Sequence, residues 1–372
     1  MPTPFVYAPI LKGKANDLKA LSRLTAEARA LIKPLVELLP IPPDRSTDEH
    51  LNAFAHHIVK HAKAGDLFVD FWGLLPGTAT QDGRDATTAG FQILRKLGRP
   101  VTPTYGFDRD DAVWAPLRAE VKRMAQGFCF RIDIDDLDDK AQETWTELLE
   151  RSADLELAPK ALDLLLDLRH VAQRSTNELK ELVTDFLAYK PLQNKYRSII
   201  VAGSSALKDV AAIPKDDTGE VIRKELRVWV ELQADVGSSV TLTFGDYGVV
   251  HPDFTDGGPN QNANAKIRYT LGGRIFVFRG HKLFKPTDFK QYHALAERVR
   301  NSQAYRGRDF SYGDSYIDDC ADYNKGPGNM GCWVLADMNH HIEYTAKQLQ
   351  DLVEKVDADI SEDEIDELLE LA

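Results

Sequence analysis

Eight short runs with β-type composition, separated by longer segments with helical periodicity, constrain this chain more than any other feature. The runs are Phe5–Ile10, Lys33–Leu38, Leu67–Trp72, Pro100–Tyr105, Gly127–Asp133, Leu162–Leu168, Arg197–Ala202 and Val240–Asp246. The first intervening segment, Asn16–Ile32, places Leu18, Leu21, Leu24, Ala28 and Leu31 three or four residues apart, which gives one apolar helical face. Thr47–Ala62, Arg84–Leu97, Asp110–Ala125, Asp138–Ser152, Ser175–Ala188 and Thr218–Gln233 read the same way. Ser46 with Glu49, and Ser175 with Glu178, have capping-box spacing.

Strands that alternate with helices pair in parallel, because the helix supplies the long crossover that a parallel pair needs. An open, doubly wound sheet would also satisfy the pattern. Seven consecutive βα units followed by an eighth strand, with no glycine-rich turn after the first strand, favour a closed (β/α)₈ barrel of TIM type. The regular alternation then stops. Residues 252–337 read as an insertion above the barrel: a Gly/Asn/Asp-rich loop, then Lys266–Leu271 and Arg274–Gly280 joined by Gly272-Gly273, whose glycines suit a tight hairpin turn. A helix over Asp288–Asn301, a loop through Asn329 and a closing helix near His341–Val356 complete the expectation. The chain thus divides into one barrel domain, 1–356 with its insertion 252–337, and a tail, 357–372.

Of the 372 residues 43% are hydrophobic, and the net charge is −12. From Asp351 to Ala372 there are ten acidic residues and one lysine, so the remaining chain is close to neutral. From Ile365 onward the tail hydrophobics recur at helical spacing, which suits an amphipathic helix docked on a basic partner or on another copy of the chain, or else a solvated terminus. Cys129, Cys320 and Cys332 cannot all pair and lack structural-zinc spacing. With no signal-peptide pattern and no long apolar run, the expectation is a cytoplasmic protein without a membrane partner. Walker-loop and Gly-x-Ser-x-Gly signatures are absent from the sequence, which disfavours P-loop ATPases and nucleophile-elbow hydrolases.

In a barrel of this type, function is built at the C-terminal strand ends. Those ends carry Lys12, Glu37, Asp70, Tyr105 with Asp108, Arg131 with Asp133, Asp167 with Arg169, Ser204 with Ser205, and Asp246, Tyr247 and His251. Glu37, Asp70, Asp133, Asp167 and His251 are the candidate catalytic groups. Lys12, Arg131, Arg169, Ser204, Asp246 and Tyr247, with Arg268 and Arg279 of the hairpin, are candidate ligand-binding groups.

Carboxylates of this number could hold Mg²⁺ while the cations bind a phosphate, as in a metal-assisted hydrolase or phosphodiesterase. A carboxylate pair could instead share acid and base duties without metal, as in sugar-processing barrels. The same charges could also form an internal salt-bridge lattice. The adjacent His340 and His341 lack the i, i+4 spacing of a helical metal pair.

The stretch Tyr7-Ala8-Pro9-Ile10-Leu11-Lys12-Gly13-Lys14, followed by Ile32-Lys33-Pro34-Leu35-Val36-Glu37, resembles the start of the beta protein family of phages and bacteria. Gly245-Asp246-Tyr247, His251-Pro252, Ile267-Arg268-Tyr269-Thr270, Arg279-Gly280, Gly326-Pro327-Gly328-Asn329, Trp333 and His340-His341 are similar as well. The resemblance reaches to about residue 353 and leaves out the acidic segment from Ser361. It implies a setting in phage–host conflict and brings no established catalytic residues. Two functions are therefore expected: a barrel that binds a phosphate-containing ligand (nucleotide, sugar phosphate or nucleic-acid end) at its mouth, or a non-catalytic subunit of a defence or counter-defence assembly. A protein partner would engage through 252–337 or the tail.

Overall fold

The computed structural model describes residues 5–62, 65–109, 111–138, 140–188, 196–236, 240–253, 263–355 and 360–371. Eight parallel strands close into a barrel: β1 (Tyr7–Leu11), β2 (Leu35–Glu37), β3 (Phe68–Asp70), β4 (Thr102–Gly106), β5 (Phe128–Asp133), β6 (Leu162–His170), β7 (Ser198–Ser204) and, after a strand outside the barrel, β9 (Leu242–Asp246). Closure occurs where β9 pairs with β1, Tyr7 opposite Phe244 and Pro9 opposite Asp246. All eight expected runs contain a barrel strand or overlap one. The (β/α)₈ reading therefore holds.

The crossover helices are α1 (Ala15–Ser22) and α2 (Ala26–Leu31), α3 (Thr47–His61), α4 (Ala86–Lys96), α5 (Trp114–Met124), the short α6 (Ile134–Leu137) with α7 (Ala141–Leu155), α8 (Thr176–Ala188) and α9 (Lys224–Val236). Where one helix was expected over Asn16–Ile32 there are two. The chain breaks at Arg23, Thr25 caps α2 by accepting from the Ala28 amide, and the Thr25 hydroxyl donates to buried Glu343 at 2.9 Å. Both capping boxes form: Ser46 with Glu49, and Ser175 with Glu178.

The Thr218–Gln233 segment departs further from expectation. Its first residues form a strand, β8 (Thr218–Ile222), which pairs antiparallel with β11 (Arg274–Lys282), and β11 pairs with β10 (Asn264–Leu271). The β-branched Thr218, Val221 and Ile222 suit a strand, and a partner more than fifty residues away decides the outcome. The hairpin turns at Gly272-Gly273 as expected, with Gly272 at φ +56.

The expected loop before Asn329 contains a helix, α11 (Tyr312–Ala321), capped by Ser311. It follows α10 (Gln291–Arg300). The closing helix, α12, begins at Met330 and runs to Lys355. Sheet, α10, α11 and the start of α12 share a core of their own, with Ile267, Tyr269, Tyr292, Ile317 and Trp333 buried in it. The 252–337 insertion is thus completed by β8 and α12. Most of the Gly/Asn/Asp-rich loop lies outside the described residues. The tail forms α13 (Glu362–Leu371), which packs Ile365 into the main core. Gly273 donates its amide to the Leu369 carbonyl at 2.6 Å, and Arg227 of α9 meets Asp366 at 2.8 Å. None of the described helices is long and apolar enough to cross a membrane.

Alternation along the strands sorts the barrel interior into layers. Ala8, Ile10, Leu35, Phe68, Cys129, Leu165, Ile200 and Ala202 form an apolar middle. Two residues earlier lie Lys33, Asp163 and Ser198. Lys33 meets Asp163 at 3.4 Å and sits 3.8 Å above the Phe68 ring, while Arg197 and Ser198 bond the same carboxylate at 2.9 and 2.8 Å. Two residues later lie Lys12, Glu37, Asp70, Arg131 and Asp167. These line the mouth.

Candidate functional site

Arg131 is the centre of the mouth. Its guanidinium lies 2.7 Å from Glu37, 2.7 Å from Asp70 and 2.6 Å from Asp167, and it donates to the Tyr247 hydroxyl at 2.8 Å. Tyr247 donates in turn to Asp167 at 2.5 Å. All five residues are buried. Burial alone would depress the Arg131 pKa, but Tyr247, Asp167, Glu37 and Asp70 together raise it well above the usual guanidinium value. Burial likewise pushes the Glu37 carboxyl up, and Arg131 and Lys12 outweigh it, holding the group at about 2.

A second tier of cations surrounds this centre. Lys12 meets Glu37 at 2.6 Å and donates to the Pro252 carbonyl at 2.5 Å. Burial lowers its pKa against the pull of Glu37. Arg109 reaches Asp70 at 3.1 Å. Arg169 donates to the Tyr247 hydroxyl at 3.2 Å and to Asp253 at 2.9 Å, and stands 3.9 Å from Asp133.

Arg169 has φ +53, a left-handed conformation unusual for a non-glycine residue, and its amide donates to Asp167. That backbone turn swings the guanidinium over two aromatic rings, 5.4 Å from Trp72 and 5.8 Å from Tyr247. Lys12 lies 5.1 Å from each of the same rings.

The segment after β9 closes the mouth. Tyr247 points inward, Pro252 and Asp253 meet Lys12 and Arg169, and the His251 ring packs 4.3 Å from His170. Burial and His170 lower the His251 pKa, which disfavours its charged form. The Asp133 carboxyl is raised to about 6 by burial and by Asp167. Beside this closure, Asp70, Trp72, Thr104, Asp108 and Arg109 line a cleft of about 240 Å³ between the loops after β3 and β4.

The structure thus brings together Lys12, Glu37, Asp70, Arg131, Asp133, Asp167, Arg169, Tyr247 and His251. Four candidates lie elsewhere. Asp246 points to the outer face of β9, where it accepts from Tyr7 at 2.6 Å, lies 2.9 Å from His341 and meets Arg223 at 3.4 Å. Ser204 bonds the Ala206 amide. Arg268 joins Asp337 at 3.0 Å and the Val249 carbonyl at 2.6 Å, and Arg279 holds the carbonyls of Val210, Ala211 and Ile213. These two arginines fasten the cap sheet to the barrel loops.

The expectation of bound Mg²⁺ relied on the mouth carboxylates, but Glu37, Asp70 and Asp167 converge on Arg131. Among the described residues no group of three or more His, Cys, Asp or Glu side chains is arranged to hold a metal ion. Trp72, Arg109, Pro252 and Asp253 were not among the candidate site residues, although Pro252 and Asp253 end the Gly245–Asp253 stretch that carries the most concentrated local signal in the sequence. Trp72 also had a signal, the last position of an expected strand.

A model of the family described as Beta protein matches residues 7–347. No curated protein matches the chain. Among solved structures the chain is similar to the triosephosphate isomerase of Bartonella henselae, with 12% identity and a TM-score of 0.36 over 65% of this chain and 91% of that one.

Proposed function

The chain belongs to the Beta protein family, and from the geometry of its barrel mouth we propose that it binds a phosphate-bearing small molecule or nucleic-acid end there. One observation carries the reading: Lys12 and Arg169, both set over Trp72 and Tyr247, take oxygen partners from the segment that closes the mouth, the Pro252 carbonyl and the Asp253 carboxylate. Those two oxygens occupy positions that a ligand's anionic oxygens would take. A guanidinium fork beside an ammonium suits a phosphate, and the rings suit a sugar or base attached to it. The family resemblance supports a setting in phage–host conflict.

The test is thermal unfolding with inorganic phosphate, ribose 5-phosphate, AMP and a 5′-phosphorylated oligonucleotide. A ligand of the folded state at a hundred times its Kd adds about 2.7 kcal/mol of stability. At least one phosphorylated compound should raise the melting temperature of the native chain, and Arg169→Gln should weaken that compound at least tenfold. No shift with any of them, or a shift that Arg169→Gln leaves intact, overturns the proposal.

A further inference from the structure

We propose that the opposite, N-terminal face of the barrel carries a second binding site, which takes a small amphiphilic anion: a single carboxylate or phosphate head on an apolar body. A cavity of about 340 Å³ opens there, within the range of small-molecule sites. Its position follows from its walls: Ile32 and Pro34 precede β2, Leu67 precedes β3, and Arg99 precedes β4. In this fold the N-terminal face ordinarily serves stability alone, and nothing in barrel closure requires a cavity there.

Two kinds of residue meet in it. Leu21, Leu24, Ile32 and Leu67 supply an apolar floor. Arg29, Lys60, His61 and Arg99 supply the polar part, and the described lining residues include no carboxylate.

Arg99 is the decisive member. It is only 8% exposed, and its terminal nitrogens donate to backbone carbonyls, to Pro100 at 3.1 Å and Gly65 at 2.9 Å. Its Nε is buried and makes no hydrogen bond among the described residues. An ionised group in such a place costs several kcal/mol unless a counter-charge meets it. At the mouth Arg131 has three carboxylates, whereas Arg99 has carbonyl dipoles and the influence of Asp66, which does not line the cavity. An anionic head inside the cavity, which Arg99 lines, would supply the missing charge. Arg29, tied to the Leu24 carbonyl at 2.8 Å, and exposed Lys60 add to the attraction, and the leucine floor takes the apolar body.

The experiment is titration calorimetry of the full chain with decanoate, octyl phosphate, decanol and inorganic phosphate. Decanoate, octyl phosphate or both should bind, and whichever binds identifies the head group. Decanol and inorganic phosphate should bind at least tenfold more weakly. Arg99→Gln should reduce affinity tenfold or more. Lys60→Glu, a change at an exposed position that leaves the fold intact, should reduce it severalfold even if the Arg99 variant folds poorly. Arg169→Gln at the mouth should have no effect, which separates this site from the one proposed above. Absence of binding by both amphiphiles, equal binding of decanol, or affinity unchanged in Lys60→Glu would overturn the proposal.

Discussion

Replacing Arg131 by methionine removes the cation on which Glu37, Asp70 and Asp167 converge and keeps only an apolar stem in its place. The three carboxylates are at most 1% exposed, so water cannot take over the role of the guanidinium without rearrangement. Removing one partner of a buried ion pair typically costs about 3–5 kcal/mol, because the surviving charge is left uncompensated. The Glu37 shift gives an independent scale. Its carboxyl falls from an ordinary 4.5 to about 2, which corresponds to about 3 kcal/mol, part of it due to Lys12. We therefore expect Arg131→Met to lose about 3–5 kcal/mol at pH 7 in urea unfolding followed by tryptophan fluorescence.

The pH dependence carries a sign. In the native chain the Glu37 pKa is depressed, so its contribution is complete above the unfolded value near 4.5 and disappears as pH falls toward 2. In the variant Glu37 loses Arg131, the largest of the charges holding its carboxyl down, so burial drives its pKa up and the variant gains relative stability as the group protonates. The deficit should shrink between pH 7 and pH 5. A loss below about 1 kcal/mol, the range of an exposed pair, or a deficit that does not change over that interval would refute the assignment of Arg131 as the buried counter-charge.

Three further expectations follow from other parts of the structure. Asp246→Asn should cost about 2 kcal/mol at neutral pH, because His341, Arg223 and Tyr7 hold this buried carboxyl at about 2 against the opposing effect of burial; in the native chain that stabilisation should fade from about pH 4 downward, and a substitution without effect at pH 7 would contradict it. Gly90→Ala should cost about 1–3 kcal/mol, since a Cβ there would stand 2.2 Å from the Phe71 ring; an unchanged urea midpoint would show that the ring can move aside. Deleting residues 360–372 should lower stability by about 2–4 kcal/mol through exposure of the Ile365 site and loss of the Gly273–Leu369 hydrogen bond; unaltered unfolding would return the tail to the status of a solvated terminus.

The barrel was legible in the sequence because buried parallel strands are apolar on both faces, while the helices between them show apolar residues on one side only. Lys12, Glu37, Asp70, Arg131 and Asp167 were legible as mouth residues because each follows an inward apolar residue by two positions at a strand end. The same period of two shows why Asp246 was misplaced. It is adjacent to Tyr247, and neighbours on a strand face opposite ways, so only one of them could enter the mouth. Arg268 and Arg279 lie away from the mouth for a different reason: their partners are loop carbonyls and, for Arg268, the distant Asp337 carboxylate, pairings that leave no mark in the sequence. β8 was hidden because a segment of five residues next to a helical pattern becomes a strand only when a distant hairpin offers an edge. Arg109 and Asp253 lie in loops, where no periodicity locates a side chain.

The magnitudes at the mouth decide where a ligand would enter. Four cations, Lys12, Arg109, Arg131 and Arg169, face three buried carboxylates, Glu37, Asp70 and Asp167. The single excess positive charge is more than offset by Asp108, Asp133 and Asp253, whose side chains are 51%, 37% and 56% exposed. Pulling Arg131 away from its carboxylates would forfeit about 3–5 kcal/mol, more than a weak ligand returns. Exchanging Asp253 on Arg169 for a ligand oxygen gives up a pair of a kind worth about 0–1 kcal/mol, because water already competes for that carboxylate. The inner ions therefore act as a fixed floor that holds Tyr247 and, through Asp167, the strained backbone at Arg169 in place. Under the proposed function, exchange would fall to Arg169 beside Lys12, and the salt-bridge lattice and the proposed site would be successive tiers of one mouth.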